Sequence, residues 1–418
     1  MRILWITNML FPEAKRLIKY NDEFRASGGW MLGAAESMLN YYPRISLSIA
    51  SVSSLVSKLT IVKGKRIVYY IIPYGKGNLK PNTEYESFWI EINNLCNPDV
   101  VHIHGTEYSH GLAFLNACPE ANTVISIQGL TSVLYYYYYY GLNKYDIVRN
   151  ISIRDIFRGS IFTDMRKLKK RGENIEKIML QKTKHIIGRT SWDKAHAWAI
   201  NPISEYYICN ETLRPEFYKS RKWEYKRCEK YTIFLSQASY PLKGLHQVLK
   251  AMPLILRHFP NTKIKVAGQD ITKHKTLHDK LFITGYGKLI RRMICTNHLK
   301  NHIEFLGPLN AEQMKCAYLQ CNVFVCPSSV ENSPNSLAEA QILGVPHLAS
   351  YVGGVADMMT GNETNLYRFE DIEMLAEKIC YIFRNKELQV DMSSIAHKRH
   401  DQFKNAKQLV EIYNRILK

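Results

Sequence analysis

The sequence lacks the motifs by which most nucleotide-hydrolysing, dinucleotide-binding and zinc-binding proteins are identified. No GxxxxGK(S/T) phosphate loop occurs, and Gly285-Tyr286-Gly287 does not extend into a dinucleotide fingerprint. No Asp-x-Asp pair is present, and the His and Cys residues do not have zinc-binding spacing. We therefore expect neither a bound metal nor an organic cofactor, and the function must reside in other residues.

Long apolar runs and paired cysteines are also missing. No stretch approaches the roughly 20 apolar residues that a membrane-spanning helix needs. The apolar run from Met1 to Thr7 ends at Asn8 and is too short for the core of a secretory signal, so we interpret it as a buried strand. The nine cysteines are scattered and form no CxxC pair, which is typical of reduced thiols. These features predict a cytoplasmic protein.

Acidic residues are few relative to basic ones: 37 Asp and Glu stand against 56 Lys and Arg, giving a formal net charge of +19. Such a charge favours an anionic partner, either a phosphorylated substrate, an anionic membrane surface or a nucleic acid. The densest basic run, Arg166 to Arg171, follows Arg154 and Arg158 in a segment rich in Ile and Phe. This segment is either a membrane-surface element or a solvated helix face. Nucleic acid is disfavoured because no recognisable nucleic-acid-binding module is present.

The order of apolar and amphipathic segments predicts an α/β fold with two doubly wound, Rossmann-like parallel sheets. The length of the chain, 418 residues, suits two domains. We predict the ranges 1–212 and 213–395 for them, followed by a C-terminal helix in 396–418. The predicted strands are Arg2 to Ile6, Ile45 to Val52, Ile67 to Ile72, Val100 to His104, Thr123 to Ile127 and His185 to Gly188 in the first half, then Tyr231 to Ser236, Thr262 to Ala267, His302 to Leu306, Val323 to Cys326 and His347 to Ser350 in the second.

The segment from Pro327 to Asp357 carries the strongest functional pattern. Glu331 and Glu339 lie eight residues apart, and a turn-forming Asn/Ser/Pro run separates Glu331 from a helix that should end at Gly344. Eight helical residues span about 12 Å, which suits two carboxylates that hold hydroxyl groups at the two ends of one ligand.

Between the two carboxylates lies a predicted phosphate site. Backbone amides at the start of a helix bind phosphate, and the amides at this start belong to Asn335, Ser336 and Leu337. If Glu331 binds a hexose and Glu339 binds a ribose, a diphosphate would lie between the two sugars, at the start of the helix. The pattern therefore fits a nucleotide-diphosphate sugar.

This segment resembles the Glu-x(7)-Glu signature of retaining GT-B glycosyltransferases of the family-four type, the glycosyl transferases group 1. The resemblance rests on Glu331 and Glu339 together with the following Gly344-Val345-Pro346 and Gly353-Gly354. It implies two Rossmann-like domains that face a cleft, with the C-terminal helix crossing back to the first domain. It also implies transfer of a hexose-type sugar from a nucleotide-diphosphate sugar to a saccharide acceptor.

Two further segments resemble donor-binding parts of this family. Ser236 to Gly244 is similar to its phosphate-binding segment, in which Lys243 matches the lysine, a suitable point charge for a pyrophosphate. Ala238 stands where the family usually has arginine, so a cation from elsewhere would be needed, with Arg189 and Arg214 as candidates. Near the N-terminus, the resemblance places the Gly28-Gly29 pair against the donor diphosphate.

The remaining site predictions lie at strand ends in the first half. Gln128 stands where many members of the family have a histidine close to the reacting carbon, and an amide cannot titrate. We predict catalytic roles for Glu331, Lys243 and Gln128, and acceptor-side positions for His104 and Glu107. His102 lies further back in its apolar strand and is expected to be structural.

Together with the basic surface, the resemblance implies a metal-independent, retaining hexosyltransferase whose acceptor is a lipid-linked saccharide in surface polysaccharide synthesis, acting in the cytoplasm or at the inner face of a membrane. Two alternatives remain open: a GT-B nucleotide-sugar epimerase, and a non-catalytic protein that binds saccharides or nucleotide sugars. The six consecutive tyrosines from Tyr135 to Tyr140 either stack on a sugar, sit at a membrane interface or form a surface loop.

Overall fold

The computed structural model describes residues 1–18, 29–73, 84–158, 163–385 and 398–418. Two compact units are present. The first comprises Met1–Tyr135, Lys167–Leu213 and His400–Lys418, and the second comprises Tyr136–Arg166 and Arg214–Arg399. The range 136–166, predicted as part of the first domain, therefore belongs to the second unit. Hydrophobic patterning does not reveal such an insertion, because long-range contacts hold it in place, such as the Tyr140 ring 5.4 Å from the Phe369 ring.

The first unit contains an eight-stranded sheet among its described residues. Its strands are β1 (Arg2–Thr7), β2 (Ser46–Ser53), β3 (Thr60–Lys63), β4 (Ile67–Pro73), β5 (Val100–His104), β6 (Thr123–Ser126), β7 (His185–Gly188) and β8 (Glu205–Ile208). The order is β3-β4-β2-β1-β5-β6-β7-β8, and of the described pairs only β3 with β4 is antiparallel. The chain winds outward in both directions from β1 and β5, so the topological switch point of this sheet lies between these strands.

Helices pack on both faces of this sheet. Their bounds are Pro12–Leu17, Gly29–Tyr41, Glu84–Cys96, Ser109–Ala117, Thr131–Leu134, Lys177–Lys182, Ser191–Ile200 and Gln402–Ile416. The last of these helices buries Leu409 and Tyr413 in the same core as Trp5. The Tyr413 hydroxyl accepts a hydrogen bond from Trp5 Nε1 at 3.0 Å and lies 2.7 Å from His102 Nδ1. His102 is thus a buried structural group, as the sequence indicated.

The second unit contains a six-stranded sheet whose described pairs are all parallel. Its strands are β9 (Thr232–Leu235), β10 (Lys263–Val266), β11 (Ile303–Phe305), β12 (Val323–Cys326), β13 (His347–Ser350) and β14 (Leu366–Tyr367), in the order β11-β10-β9-β12-β13-β14. The direction of winding reverses between β9 and β12. Ligands of open α/β sheets bind beyond the carboxyl ends of the strands at this point.

The helices of the second unit, and one helix shared with the first, complete the fold. Their bounds are Lys144–Arg149, Ile153–Arg158, Thr163–Arg171 (whose residues from Lys167 belong to the first unit), Pro215–Tyr218, Leu245–Leu256, Leu277–Phe282, Gly285–Thr296, Ala311–Gln320, Asn335–Leu343, Val355–Met358 and Ile372–Arg384. The helix Asn335–Leu343 ends at Gly344, whose φ of 72° is left-handed. The predicted pair of doubly wound parallel sheets is confirmed.

Candidate functional site

The carboxyl ends of β9 and β12 bring Lys243 and Glu331 together at the switch point of the second sheet. Lys243 Nζ lies 2.5 Å from Glu331 Oε1, and both side chains are largely buried, with 21% and 15% exposure. Burial opposes a charge on Lys243, but attraction to Glu331 outweighs it and raises the pKa of the lysine above its ordinary value. The ammonium group therefore stays charged next to a carboxylate that offsets it.

Backbone packing fixes Lys243 in this position. Gly244, the next residue, has a φ of 68°, and a Cβ atom there would collide with the carbonyl oxygen of Pro327. The Ser329 amide donates to the Leu242 carbonyl at 2.8 Å, so the loop after β9 is bonded directly to the loop after β12. Glycine is required at position 244 both for its backbone angle and for this close approach.

Glu331 is held from two sides. The Ser328 hydroxyl donates to Glu331 Oε1 at 2.7 Å, and the Gly354 amide donates to the Glu331 carbonyl at 3.0 Å. Gly353 has a φ of 51°, and a Cβ atom at this position would collide with the same carbonyl. The Gly353-Gly354 pair, noted in the sequence as part of the motif, thus serves to seat Glu331.

Glu339 lies inside the helix Asn335–Leu343 and is paired with Arg214. Arg214 donates to Glu339 Oε1 from Nε at 2.9 Å and from the guanidinium NH2 group at 2.7 Å. Burial raises the pKa of Glu339 above its ordinary value, although Arg214 acts in the opposite direction. Arg214 was predicted as a possible substitute for the missing arginine, but its charge is offset by Glu339.

The start of this helix differs in one respect from the predicted phosphate site. Asn335 and Ser336 are partly exposed, whereas Leu337 is fully buried and its amide already donates to the Pro334 carbonyl at 3.0 Å. The Leu337 amide therefore already has a partner within the first helical turn, and its contact with a phosphate stays a prediction. The i→i−3 bond arises because the first turn closes on Pro334, the residue before the helix.

Position 238 cannot carry the arginine that is usual in the family. Ala238 is 3% exposed and packs in the main core of the second unit with Leu235 and Leu245. The other candidate cation, Arg189, is buried in the first unit, where it forms an ion pair with Glu211 and donates to the Gln128 carbonyl at 2.8 Å. Its guanidinium group thus supports the loop that carries Gln128.

In the first unit, His104 and Glu107, which were predicted on the acceptor side, share a cavity of about 220 Å³ at the switch point with Gln128, which was predicted to be catalytic. His104 ends β5, Glu107 follows it, and Gln128 follows β6; all three line the cavity. Four further residues that line the cavity were not predicted from the sequence: Asn8, Met9, Trp30 and Met31. Asn8 could have been found, because it directly follows the carboxyl end of β1, the strand next to β5. Trp30 gives no such local signal.

Burial shifts the titration of two groups in this cavity in opposite directions. It lowers the pKa of His104 to about 3 and raises the pKa of Glu107 to about 7. His104 Nδ1 lies 3.3 Å from the Ser126 hydroxyl, and Glu107 Oε2 accepts a hydrogen bond from the Thr106 amide at 3.0 Å. At neutral pH the imidazole is uncharged, and Glu107 is near the midpoint of its titration.

Of the predicted glycine pair, Gly29 begins the helix Gly29–Tyr41, whereas Gly28 lies outside the described residues. Within the described ranges, no group of three or more His, Cys, Asp or Glu side chains is placed to hold a metal ion. In the same ranges no helix combines the length and apolar character of a membrane span.

Comparisons with known proteins agree with this geometry. Residues 218–399 match the family model described as glycosyl transferases group 1. The capsular polysaccharide biosynthesis glycosyltransferase CapM of Staphylococcus aureus is 27% identical over 182 residues, which cover 42% of this chain and 44% of that protein. The chain aligns with less than half the length of the curated relatives it matches.

Two solved structures share the fold over nearly the whole chain. Sucrose-phosphate synthase from Thermosynechococcus elongatus has a TM-score of 0.68 at 14% identity, covering 99% of this chain and 98% of the other. Anabaena Alr3699/HepE in complex with UDP has a TM-score of 0.63 at 13% identity, covering 99% and 100%. The fold is therefore that of the GT-B glycosyltransferases, and the segment 218–399 is similar to the glycosyl transferases group 1 family.

Proposed function

We propose that this protein is a glycosyltransferase that takes a hexose-type sugar from a nucleotide-diphosphate sugar. The observation that carries the proposal is the Lys243–Glu331 pair at the switch point of the sheet, inside the segment that matches the group 1 family. A lysine next to a carboxylate provides one group for a phosphate and one for sugar hydroxyls. Support for the nucleotide comes from the UDP bound to the Anabaena protein of the same fold.

In this proposal the donor replaces the internal ion pair. The diphosphate binds the ammonium group of Lys243 and the backbone amides of Asn335 and Ser336 at the start of the helix. Glu331 accepts hydrogen bonds from hydroxyl groups of the transferred sugar. Charge on the departing diphosphate is stabilised by the same lysine, which lies in a largely water-excluded position. Glu339, oriented by Arg214 through Oε1, holds the ribose.

The acceptor side is assigned to the cavity of the first unit. Glu107 accepts hydrogen bonds from acceptor hydroxyls in its deprotonated form, which a pKa of about 7 leaves partly populated at neutral pH. His104 and Gln128 orient the sugar without changing charge. Since Gln128 cannot act as a base, we propose retention of configuration with the leaving phosphate as the base, and no metal.

A lipid-linked saccharide acceptor is supported by the surface of the inserted segment. Phe157 is 87% exposed and Ile156 is 66% exposed, between Arg154 and Arg158 on the helix Ile153–Arg158. Exposed apolar side chains next to the exposed Arg158 suit an anionic membrane face. Flotation with vesicles containing anionic lipid should carry the protein upward, and Phe157→Ser should weaken this; equal flotation with purely zwitterionic vesicles would contradict the assignment.

The first experiment is thermal unfolding with UDP-, GDP- and ADP-sugars, each with and without EDTA. One nucleotide should raise the melting temperature whether or not EDTA is present, and Glu339→Ala should remove the shift. Failure of all three to stabilise the protein would refute the donor site.

Turnover separates an enzyme from a binding protein. Glu331→Ala should abolish transfer from the stabilising donor while nucleotide binding remains, because the carboxylate is assigned to the sugar and not to the nucleotide. If the native protein binds the nucleotide sugar but transfers to none of a broad panel of acceptors, the binding-protein alternative is favoured.

A further inference from the structure

A second cavity, of about 180 Å³, lies within the second unit between the inserted segment and the helix Gly285–Thr296. No residue of the Glu-x(7)-Glu motif lines it. Its walls combine aromatic rings, a carboxylate, an amide and a guanidinium group, contributed by Tyr138, Tyr139, Tyr240, Asn150, Arg154 and Asp164.

The insertion is anchored on both sides of this cavity, so the space is preformed. On one side, the Ser329 hydroxyl donates to the Tyr137 carbonyl at 2.9 Å, and Lys250 Nζ donates to the Gly141 carbonyl at 2.8 Å. On the other side, Arg292 forms an ion pair of 2.5 Å with Asp146. A preformed cavity does not need to be ordered when a ligand binds, which favours affinity.

The cavity borders the Lys243–Glu331 pair through a single loop. Tyr240 lines the cavity, and its ring centre lies 5.8 Å from Lys243 Nζ. Pro241, in the same loop, also contributes to the wall. A molecule bound in the cavity would therefore be a close neighbour of the proposed phosphate site.

The chemistry of the walls selects a class of ligand. Tyrosine rings offer flat apolar faces, Arg154 offers donors, and Asp164 offers an acceptor at the exposed rim. A sugar ring presents both apolar C–H faces and hydroxyl groups that donate and accept. An anionic ligand would instead meet the carboxylates of Asp146, Asp155 and Asp164. The volume corresponds to about six water molecules, close to the size of a single sugar ring.

We propose that this cavity is a saccharide subsite that holds one neutral sugar residue of the acceptor, next to the site of transfer. The assignment to the acceptor rests on the glycosyltransferase function proposed above; the binding of a sugar does not. The subsite would make the enzyme select an oligosaccharide over a single sugar, because one residue is recognised away from the reacting hydroxyl.

The test measures binding of free sugars by saturation-transfer NMR, using glucose, galactose, mannose, N-acetylglucosamine and glucuronate at millimolar concentration. At least one neutral sugar should bind, glucuronate should bind less well, and saturating UDP should leave the binding intact. Arg154→Ala should weaken binding about tenfold, as expected for loss of a charged hydrogen bond. Arg158→Ala is the matched control, since Arg158 lies one turn further on the same helix and does not line the cavity.

A second variant blocks the cavity without touching the core. Ser239 is exposed and lines the mouth, so Ser239→Trp should abolish sugar binding while the melting temperature stays unchanged. The proposal is overturned if no sugar binds, if both Arg154→Ala and Ser239→Trp bind as the native protein does, or if UDP displaces the sugar. Sugar binding that persists in a protein with no nucleotide affinity would refute the proposed transfer function but not the subsite.

Discussion

Lys243 Nζ lies 2.5 Å from Glu331 Oε1, although the two residues are 88 positions apart in the sequence. Two loops on neighbouring parallel strands make this contact, and each is held by a glycine that tolerates no side chain. The pair is at once an internal ion pair and the proposed donor site. Variants at this pair should therefore affect stability and binding in different ways.

Lys243→Met should lower donor affinity by about 10- to 100-fold and should also reduce stability, because Glu331 loses its partner in a largely buried place. Adding Glu331→Gln should recover much of the stability but none of the affinity. Urea unfolding and calorimetric titration with the nucleotide of the stabilising donor measure the two effects. Full recovery of affinity in the double variant would contradict the assignment of Lys243 to the diphosphate.

Gly244→Ala should destabilise the protein by about 3 kcal/mol or more, since it combines an unfavourable φ with a collision against Pro327. Gly307→Ala is the matched control: its φ is 76°, but no heavy atom lies within 4 Å of an added Cβ. The control should cost only about 1 kcal/mol. Chemical denaturation compares the two variants, and equal losses would show that the contact with Pro327 is unimportant.

Arg214→Ala should cost about 3 kcal/mol of unfolding free energy, because Glu339 would remain buried without its cation. Glu339→Gln in the same background should restore a large part of this loss, since a neutral amide needs no counter-charge. Urea unfolding of the single and double variants provides the measurement. A double variant as unstable as Arg214→Ala would mean that the guanidinium group acts mainly through packing.

The pKa of Glu107 predicts how stability depends on pH. Because burial raises this pKa from 4.5 to about 7, the folded protein retains a proton that the unfolded chain releases. The protonated form of Glu107 makes its full contribution to the free energy of unfolding below pH 4.5, and this contribution is lost as pH rises to about 7. The loss amounts to at most about 3 kcal/mol.

Glu107→Gln should remove this dependence, so that the variant is more stable than the native protein at about pH 8 and similar to it at about pH 4. Denaturant midpoints across this range provide the measurement. Parallel pH profiles for the two proteins would show that Glu107 titrates normally. Asp279→Asn provides a control for acid residues in general, because Asp279 is partly exposed and its pKa is lowered, not raised.

The strands that the sequence analysis missed share a position in the sheets. Thr60–Lys63, Glu205–Ile208 and Leu366–Tyr367 all lie at sheet edges. An edge strand has one unpaired side and is often partly exposed, so it need not contain the continuous apolar run that marks a central strand. The central parallel strands are buried on both faces, and their apolar runs made them predictable.

The sequence by itself determined the α/β class, the central strands and the Glu-x(7)-Glu motif. The periodicity of apolar residues, the residues that start and end helices, and the spacing of a motif are all local properties of the chain. Only the tertiary structure decided which charges meet. The pairing of Arg214 with Glu339, the burial of Ala238 and the transfer of residues 136–166 to the second unit depend on contacts between distant segments. Such contacts follow from how the segments pack, and no local pattern of residues encodes them.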